Sequence, residues 1–141
     1  MAVTSAIPAI SLITQLALER KKQAAEKKKK AEKLEELVSA LYEHNVWVLR
    51  HAVSNQTNSN DKYEQIPFTK LSAIQKVYFP EFEAHFSNLD VATARWIWPK
   101  IAGLTVEPSE EAANLYNKCF NEVVHEIQAY AKRERVIVES W

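Results

Sequence analysis

Two histidines in the N-terminal half of the chain have a spacing that raises the question of metal binding. His44 and His51 lie seven residues apart, so their side chains share one face of a helix. Two helical turns separate the rings by roughly 10 Å, and this distance is too long for one ion to bind both. The spacing therefore predicts a partly buried histidine that hydrogen-bonds across a helical bundle, and it predicts no metal site.

A second pair, Glu122 and His125, has the Glu-x-x-His spacing of di-iron helical bundles. Such a site needs a second copy of the element and two further inward glutamates, and the nearest candidates, Glu81 and His85, have the wrong spacing. At roughly 100° per residue, His125 falls opposite the apolar stripe of its helix. We therefore expect an exposed histidine and no bound metal.

Nucleophilic and phosphate-binding chemistry find little support in the sequence. Cys119 lies on an apolar shoulder, where burial would leave its thiol inert, and no Gly-x-Ser-x-Gly motif is present. Gly103 is the single glycine, whereas phosphate-binding loops and dinucleotide folds need several. We expect no cofactor and no enzymatic activity.

Charge is balanced over the chain, with 18 basic and 18 acidic residues, but it is unevenly distributed. Residues 19–36 contain eight basic and five acidic side chains, and residues 37–141 contain ten and thirteen. Five interleaved acids and the absence of aromatic residues within 19–36 make nucleic-acid binding the weaker alternative. The candidate contacts to phosphate or lipid are Arg20, Lys21, Lys22, Lys27, Lys28, Lys29 and Lys30.

Residues 1–18 carry no charged side chain and are rich in isoleucine and leucine. One interpretation is a helix that packs on protein, either a second copy of the chain or a partner. The alternative is a membrane anchor flanked by the basic residues 20–22. Two features favour the protein contact. The segment contains five Ser, Thr and Gln residues, and its length is slightly below the roughly 20 residues of a spanning helix. The candidate partner-binding residues here are Ile10, Ile13, Leu16 and Ala17.

The first helix is predicted to be very long. Apolar residues between 34 and 52 follow helical spacing without a breaker, so one helix is predicted over about 7–53. At 1.5 Å per residue it would measure roughly 70 Å, more than the width of a compact domain of this mass. Part of the helix is therefore expected to protrude or to pair with another chain. A thin seam of alanines along the basic stretch could support a loose coiled contact but not a tight one, so that stretch is interpreted as a solvated stalk. Its predicted core positions are Leu34, Leu37, Leu41, His44, Val48 and His51.

Shorter helices are predicted after a polar segment at 54–62. The second spans about 67–79 and ends before Pro80. Ser87 to Asp90 has the pattern of a capping box, so the third helix is predicted to begin there and to reach Trp98, where Pro99 ends or kinks it. The last helix opens at 108–109, and its apolar stripe comprises Tyr116, Phe120, Val123, Ile127 and Tyr130.

Two tryptophans complete the candidate partner-binding residues. Trp96 aligns with the predicted core, so Trp98, two residues later, points away from it and is either an exposed anchor or covered by the following loop. The end of the chain is too apolar for a free tail, and we expect Val136, Ile137, Val138 and Trp141 to dock either on the bundle or on a partner.

The sequence thus predicts an all-α protein in which a long N-terminal helix packs against a small helical bundle. Residues 1–33 form an apolar head and basic stalk, and residues 34–141 form the bundle. The favoured function is that of a non-enzymatic scaffold or adaptor that assembles through its first helix with itself or with a partner protein. The alternatives are a membrane-tethered helical module with residues 1–18 as anchor and a nucleic-acid-binding accessory protein. The lone cysteine favours the cytoplasm, with membrane association as the alternative.

Overall fold

A computed structural model describes residues 3–53, 68–101 and 109–139, with side chains over 11–52, 68–99 and 109–139. The described residues form four α-helices and one short 3-10 helix at Pro80–Phe82. In chain order the α-helices are α1 (Val3–Val53), α2 (Phe68–Tyr78), α3 (Glu83–Ile101) and α4 (Glu110–Glu134). The predicted fold class is confirmed, because the long first helix packs against the shorter ones.

The chain divides into two units, Met1–Glu32 and Lys33–Trp141. In the first unit every described side chain from Ser11 to Lys30 is exposed. The second unit contains all of the buried hydrophobic core found in the described residues. The hydrophobic packing of the described residues thus lies in the second unit.

The second half of α1 supplies one wall of this core. Its buried residues recur at three- and four-residue intervals, which places them on a single face of the helix. The predicted core positions of α1 are confirmed as buried, except that His51 is half-buried. The buried residues of α1 are Leu34, Leu37, Val38, Ala40, Leu41, His44, Trp47 and Val48.

The start of α3 differs from the prediction. The helix begins at Glu83, directly after the 3-10 helix, so Ser87 lies inside it and caps nothing. The reason is packing, because Phe82, Phe86 and Leu89 are spaced for one helix face and all three are buried. Pro80 occupies the first turn of the 3-10 helix, where its missing N–H costs no hydrogen bond.

Pro99 does not end α3, which continues to Ile101. Proline has a backbone φ angle compatible with a helix, and in the final turn it removes a single hydrogen bond. The third helix therefore extends three residues beyond the predicted end at Trp98.

The last helix, α4, follows the prediction closely. Ser109 is its N-cap, and the Ser109 Oγ accepts a hydrogen bond from the Ala112 N–H at 3.1 Å. The predicted stripe faces the core, with Phe120 half-buried and the other four residues buried. At the other end Arg135 adopts a left-handed conformation with φ of 54°, which turns the chain out of the helix.

After this turn the chain returns to the bundle. The Val136 N–H donates to the Ala131 carbonyl at 2.8 Å, and Val138 is buried. The Glu139 N–H donates to a carboxylate oxygen of Glu35 on α1 at 2.9 Å. Of the two predicted positions for this segment, residues 136–138 therefore take the intramolecular one, although Ile137 is exposed.

Candidate interaction surface

The N-terminal part of α1 presents apolar side chains that nothing in the described chain covers. Leu12, Ile13 and Leu16 are 57%, 67% and 47% exposed, and Ala17 is exposed as well. At roughly 100° per residue these four residues lie within an arc of about 140° on one side of the helix. We call them the N-terminal apolar patch. Three of the predicted partner-binding residues, Ile13, Leu16 and Ala17, are thus brought together on one face.

The predicted basic contacts follow this patch along the same helix. All seven side chains, from Arg20 to Lys30, are exposed. Arg20 and Lys27 lie seven and fourteen residues after Ile13, so they continue the same line along the helix surface. Two parallel copies of this helix, paired along that line, would therefore bring like charges together beyond residue 18.

The remaining predicted partner-binding residues are more scattered. Trp98 is 58% exposed on α3, as predicted for an exposed anchor, and Val91, two turns earlier, is 50% exposed. The predicted burial of Trp96 is met in part, because it is half-buried with its ring centroid 5.3 Å from that of Tyr116. The side chain of Ile10 and all of Trp141 lie outside the described residues.

The predicted buried histidine is His44, which hydrogen-bonds across the bundle. The Thr93 hydroxyl on α3 donates to the Leu89 carbonyl at 2.7 Å, so its oxygen accepts from the His44 Nε2–H at 3.3 Å. Desolvation lowers the pKa of His44 from 6.5 to about 4, which keeps the ring neutral near pH 7. His51 instead donates from Nδ1 to the Trp47 carbonyl, one turn earlier on its own helix, at 2.8 Å.

Three other titratable groups with suggestive spacing, His85, Glu122 and His125, line one groove between α3 and α4. His85 Nε2 lies 3.7 Å from a Glu126 carboxylate oxygen, in a groove of about 410 Å³ that Glu122 and His125 also line. His125 is exposed, as predicted. No group of three or more His, Cys, Asp and Glu residues within the described ranges is arranged to hold a metal ion.

Cys119 is buried on α4, as the apolar pattern predicts. The pKa of its thiol is raised mainly by burial, and the nearby Glu122 carboxylate raises it further. A raised pKa keeps the thiol protonated, and a protonated thiol is a poor nucleophile.

Two groups of residues were missed by the sequence reasoning. Tyr42, Val46 and Leu49 form an exposed apolar row on α1, where the spacing of 4 and 3 residues is the available signal. The contact of His44 with Thr93 joins positions 49 residues apart, and a single sequence gives no signal for such a pairing.

Comparisons with protein-family models, with curated proteins and with solved structures find no match to this chain. Within the described residues, no helix combines the length and the apolar character needed to cross a bilayer.

Proposed function

We propose that this chain is a non-enzymatic helical scaffold or adaptor, which assembles through the N-terminal end of α1 with a second copy of itself or with a helix of a partner protein. The observation that carries the proposal is the N-terminal apolar patch. Its large side chains, Leu12, Ile13 and Leu16, are about half exposed or more, next to a segment whose described side chains are all exposed. A cytoplasmic location with a reduced Cys119 fits this proposal.

The energetics of an isolated helix support a need for a partner. Helices gain most of their stability from the packing of an apolar face, and a helix that lacks such packing is marginal in water. Residues 11–30 contain strong helix formers and close-spaced opposite charges, each pair of which contributes a few tenths of a kcal/mol. Burial of the N-terminal apolar patch against another helix would add the missing packing term.

The size of the patch sets the expected strength of assembly. Burial of a leucine or isoleucine side chain contributes about 1.5–3 kcal/mol, and two copies together bring six such side chains. Association itself costs about 4–15 kcal/mol. The two terms are of similar size, so we expect self-association to be reversible and to depend on concentration.

Charge limits where the contact extends. Parallel pairing along the line of Ile13 would place Arg20 against Arg20 and Lys27 against Lys27, which repel. We therefore propose that pairing is confined to the uncharged residues up to 18. A partner with acidic residues opposite 20–30 would extend the contact further along α1.

Sedimentation of the full-length chain over roughly 10 μM to 1 mM tests the proposal. We expect an average mass that rises above 16.2 kDa with concentration. The double variant Ile13→Asp, Leu16→Asp is expected to stay at the monomer mass, because two carboxylates cannot be buried in an apolar contact. The matched control is Val77→Asp, which places a carboxylate at another exposed apolar position and should assemble like the parent. A parent chain of constant monomer mass, or a double variant that assembles like the parent, would contradict self-assembly.

The same proteins distinguish assembly from the membrane and nucleic-acid alternatives. Co-sedimentation with anionic vesicles would support a membrane tether. Salt-dependent binding to duplex DNA that is lost when Lys27 to Lys30 become glutamine would support a nucleic-acid function. We expect neither result, because five acidic residues offset the basic ones and no aromatic side chain lies among them.

A further inference from the structure

A cavity of about 220 Å³ lies within the second unit, where α1, α2 and α3 meet. Half of its lining residues are aromatic, namely His44 and Trp47 from α1, Phe68 from α2 and Trp98 from α3, and Asp90, Thr93, Ala94 and Ile97 of α3 complete the wall. The ring centroid of His44 lies 5.4 Å from that of Phe68 and 6.4 Å from that of Trp47. Since an apolar cavity of about 150 Å³ holds a benzene molecule, this one has room for a single substituted aromatic ring.

Two residues of this wall each carry a buried ring nitrogen with no hydrogen-bond partner among the described residues, His44 Nδ1 and Trp47 Nε1. The tautomer of His44 follows from Thr93, whose oxygen accepts from His44 Nε2–H because its own proton goes to the Leu89 carbonyl. His44 Nδ1 is therefore an acceptor, whereas Trp47 Nε1–H is a donor. Buried polar groups are nearly always paired, so these two nitrogens call for a guest that both donates and accepts.

The cavity is accessible to a solute. Three of its lining residues, Asp90, Ala94 and Trp98, lie on α3 and are exposed. His44 and Trp47, by contrast, are 0% and 6% exposed. The site therefore combines an open side with a buried polar pair, which is the usual composition of a small-ligand pocket.

We propose that this cavity binds a phenolic ring. The phenol hydroxyl donates to His44 Nδ1 and accepts from Trp47 Nε1–H, while the ring packs among Phe68, Ile97 and Trp98. A hydroxyl can both donate a proton to an acceptor nitrogen and accept one from a donor N–H. Benzene would leave both unpaired, and an ether or a carboxylate would offer no proton to His44.

Titration of the full-length chain with phenol, anisole and benzene tests the proposal, with the Trp47 indole N–H resonance as the NMR readout. We expect phenol to bind at least about tenfold more tightly than either control ring, because it alone of the three can donate to His44 Nδ1, and to shift this resonance downfield, which benzene, with no acceptor oxygen, should not do. Equal binding of the three rings, or no shift with phenol, would overturn the proposal.

Variants locate the site. His44→Phe keeps an aromatic ring but removes the acceptor, so the preference for phenol over benzene should fall to what the remaining hydrogen bond from Trp47 Nε1–H provides. Ala94→Leu changes an exposed residue, leaves the core intact and fills the cavity, so it should weaken binding of all three rings. Val77→Ala, at an exposed position of α2 that does not line the cavity, is the control and should bind like the parent. Full phenol binding by Ala94→Leu would contradict this location.

A further arm identifies the source of the ring. N-acetyl-tyrosinamide carries the same phenol on a peptide-like backbone. Tighter binding of this compound than of phenol assigns the site to a tyrosine side chain of a protein partner, and weaker binding assigns it to a free phenolic molecule. Failure of self-association would leave these results unchanged, since the cavity and the N-terminal apolar patch share no residue.

Discussion

Residues 11–30 and residues 34–48 belong to the same α-helix but derive their stability from different sources. In the first segment every side chain is exposed, and the helix depends on intrinsic propensity and on charges one turn apart. In the second segment eight side chains are buried, among them Leu34, Leu41 and Val48 at 0% exposure. A continuous helix can therefore contain one part that tertiary packing stabilises and another whose exposed side chains contribute no such packing within the described chain.

The largest difference should appear between the two units, Met1–Glu32 and Lys33–Trp141, when one large apolar side chain is removed from each. Phe79 is fully buried, with its ring centroid 5.7 Å from Phe82 and 5.5 Å from Tyr130. Phe79→Ala is expected to lower the free energy of unfolding by about 3–5 kcal/mol. Leu16→Ala is expected to change it by less than about 0.5 kcal/mol in dilute protein, because no contact is lost. Urea denaturation measures the free energy of unfolding of both variants. Similar losses in the two would contradict the claim that only the second unit depends on buried side chains.

A pH dependence of stability should follow from the burial of His44. Its pKa is lowered to about 4 in the folded state, so the unfolded chain binds a proton more readily between pH 6.5 and 4. Stability is therefore complete above about pH 6.5 and falls as the pH drops toward 4, by about 3 kcal/mol from this group.

Urea denaturation at pH 7 and pH 4 checks this expectation. The loss should be smaller in His44→Gln by about the amount that His44 contributes, whereas His125→Gln, which alters an exposed residue, should lose as much as the parent. Equal losses in all three proteins would mean that the neutral form of His44 is not required for folding.

A smaller effect is expected at the two serines that resemble helix caps. Ser109→Ala removes the hydrogen bond to the Ala112 N–H and should cost about 1 kcal/mol. Ser87→Ala should cost nothing, because Ser87 is an exposed residue within α3 and alanine has the higher helix propensity. Thermal denaturation of the pair measures the difference, and a larger loss for Ser87→Ala would place the start of α3 at the capping pattern instead.

These serines illustrate how far sequence reasoning reaches in this fold. Helical periodicity predicted the four α-helices and the buried core positions of α1, because burial of one helix face requires apolar residues at intervals of three and four. The predicted start of α3 was wrong because the local capping pattern competes with the packing of Phe82 and Phe86. Tertiary packing prevails over such local signals.

The candidate sites were less accessible to sequence reasoning. Three residues of the N-terminal apolar patch, Ile13, Leu16 and Ala17, were predicted from the uncharged and apolar composition of residues 1–18. The cavity could not be predicted from helical spacing, because it joins residues of three helices and depends on how Thr93 sets the tautomer of His44. Pairings between distant positions are fixed by packing geometry, which one sequence does not encode in a readable pattern.

The smallest effect on stability is expected from the exposed lysines at positions 27–30 of α1. Conversion of Lys27, Lys28 and Lys30 to glutamine should change the free energy of unfolding by less than about 0.5 kcal/mol, since all three side chains are exposed and glutamine has a similar helix propensity. Urea denaturation at low and high salt checks this. A loss above about 1 kcal/mol would show that these charges contribute to the stability of the bundle.

Amide hydrogen exchange as a function of protein concentration tests most directly whether residues 11–30 depend on assembly. We predict that their protection is low in dilute protein and rises with concentration in the parent chain, but not in the Ile13→Asp, Leu16→Asp variant. Residues 34–48 should be protected equally in both proteins at every concentration. Strong protection of residues 11–30 in the dilute monomer would contradict the claim that this part of α1 requires a partner.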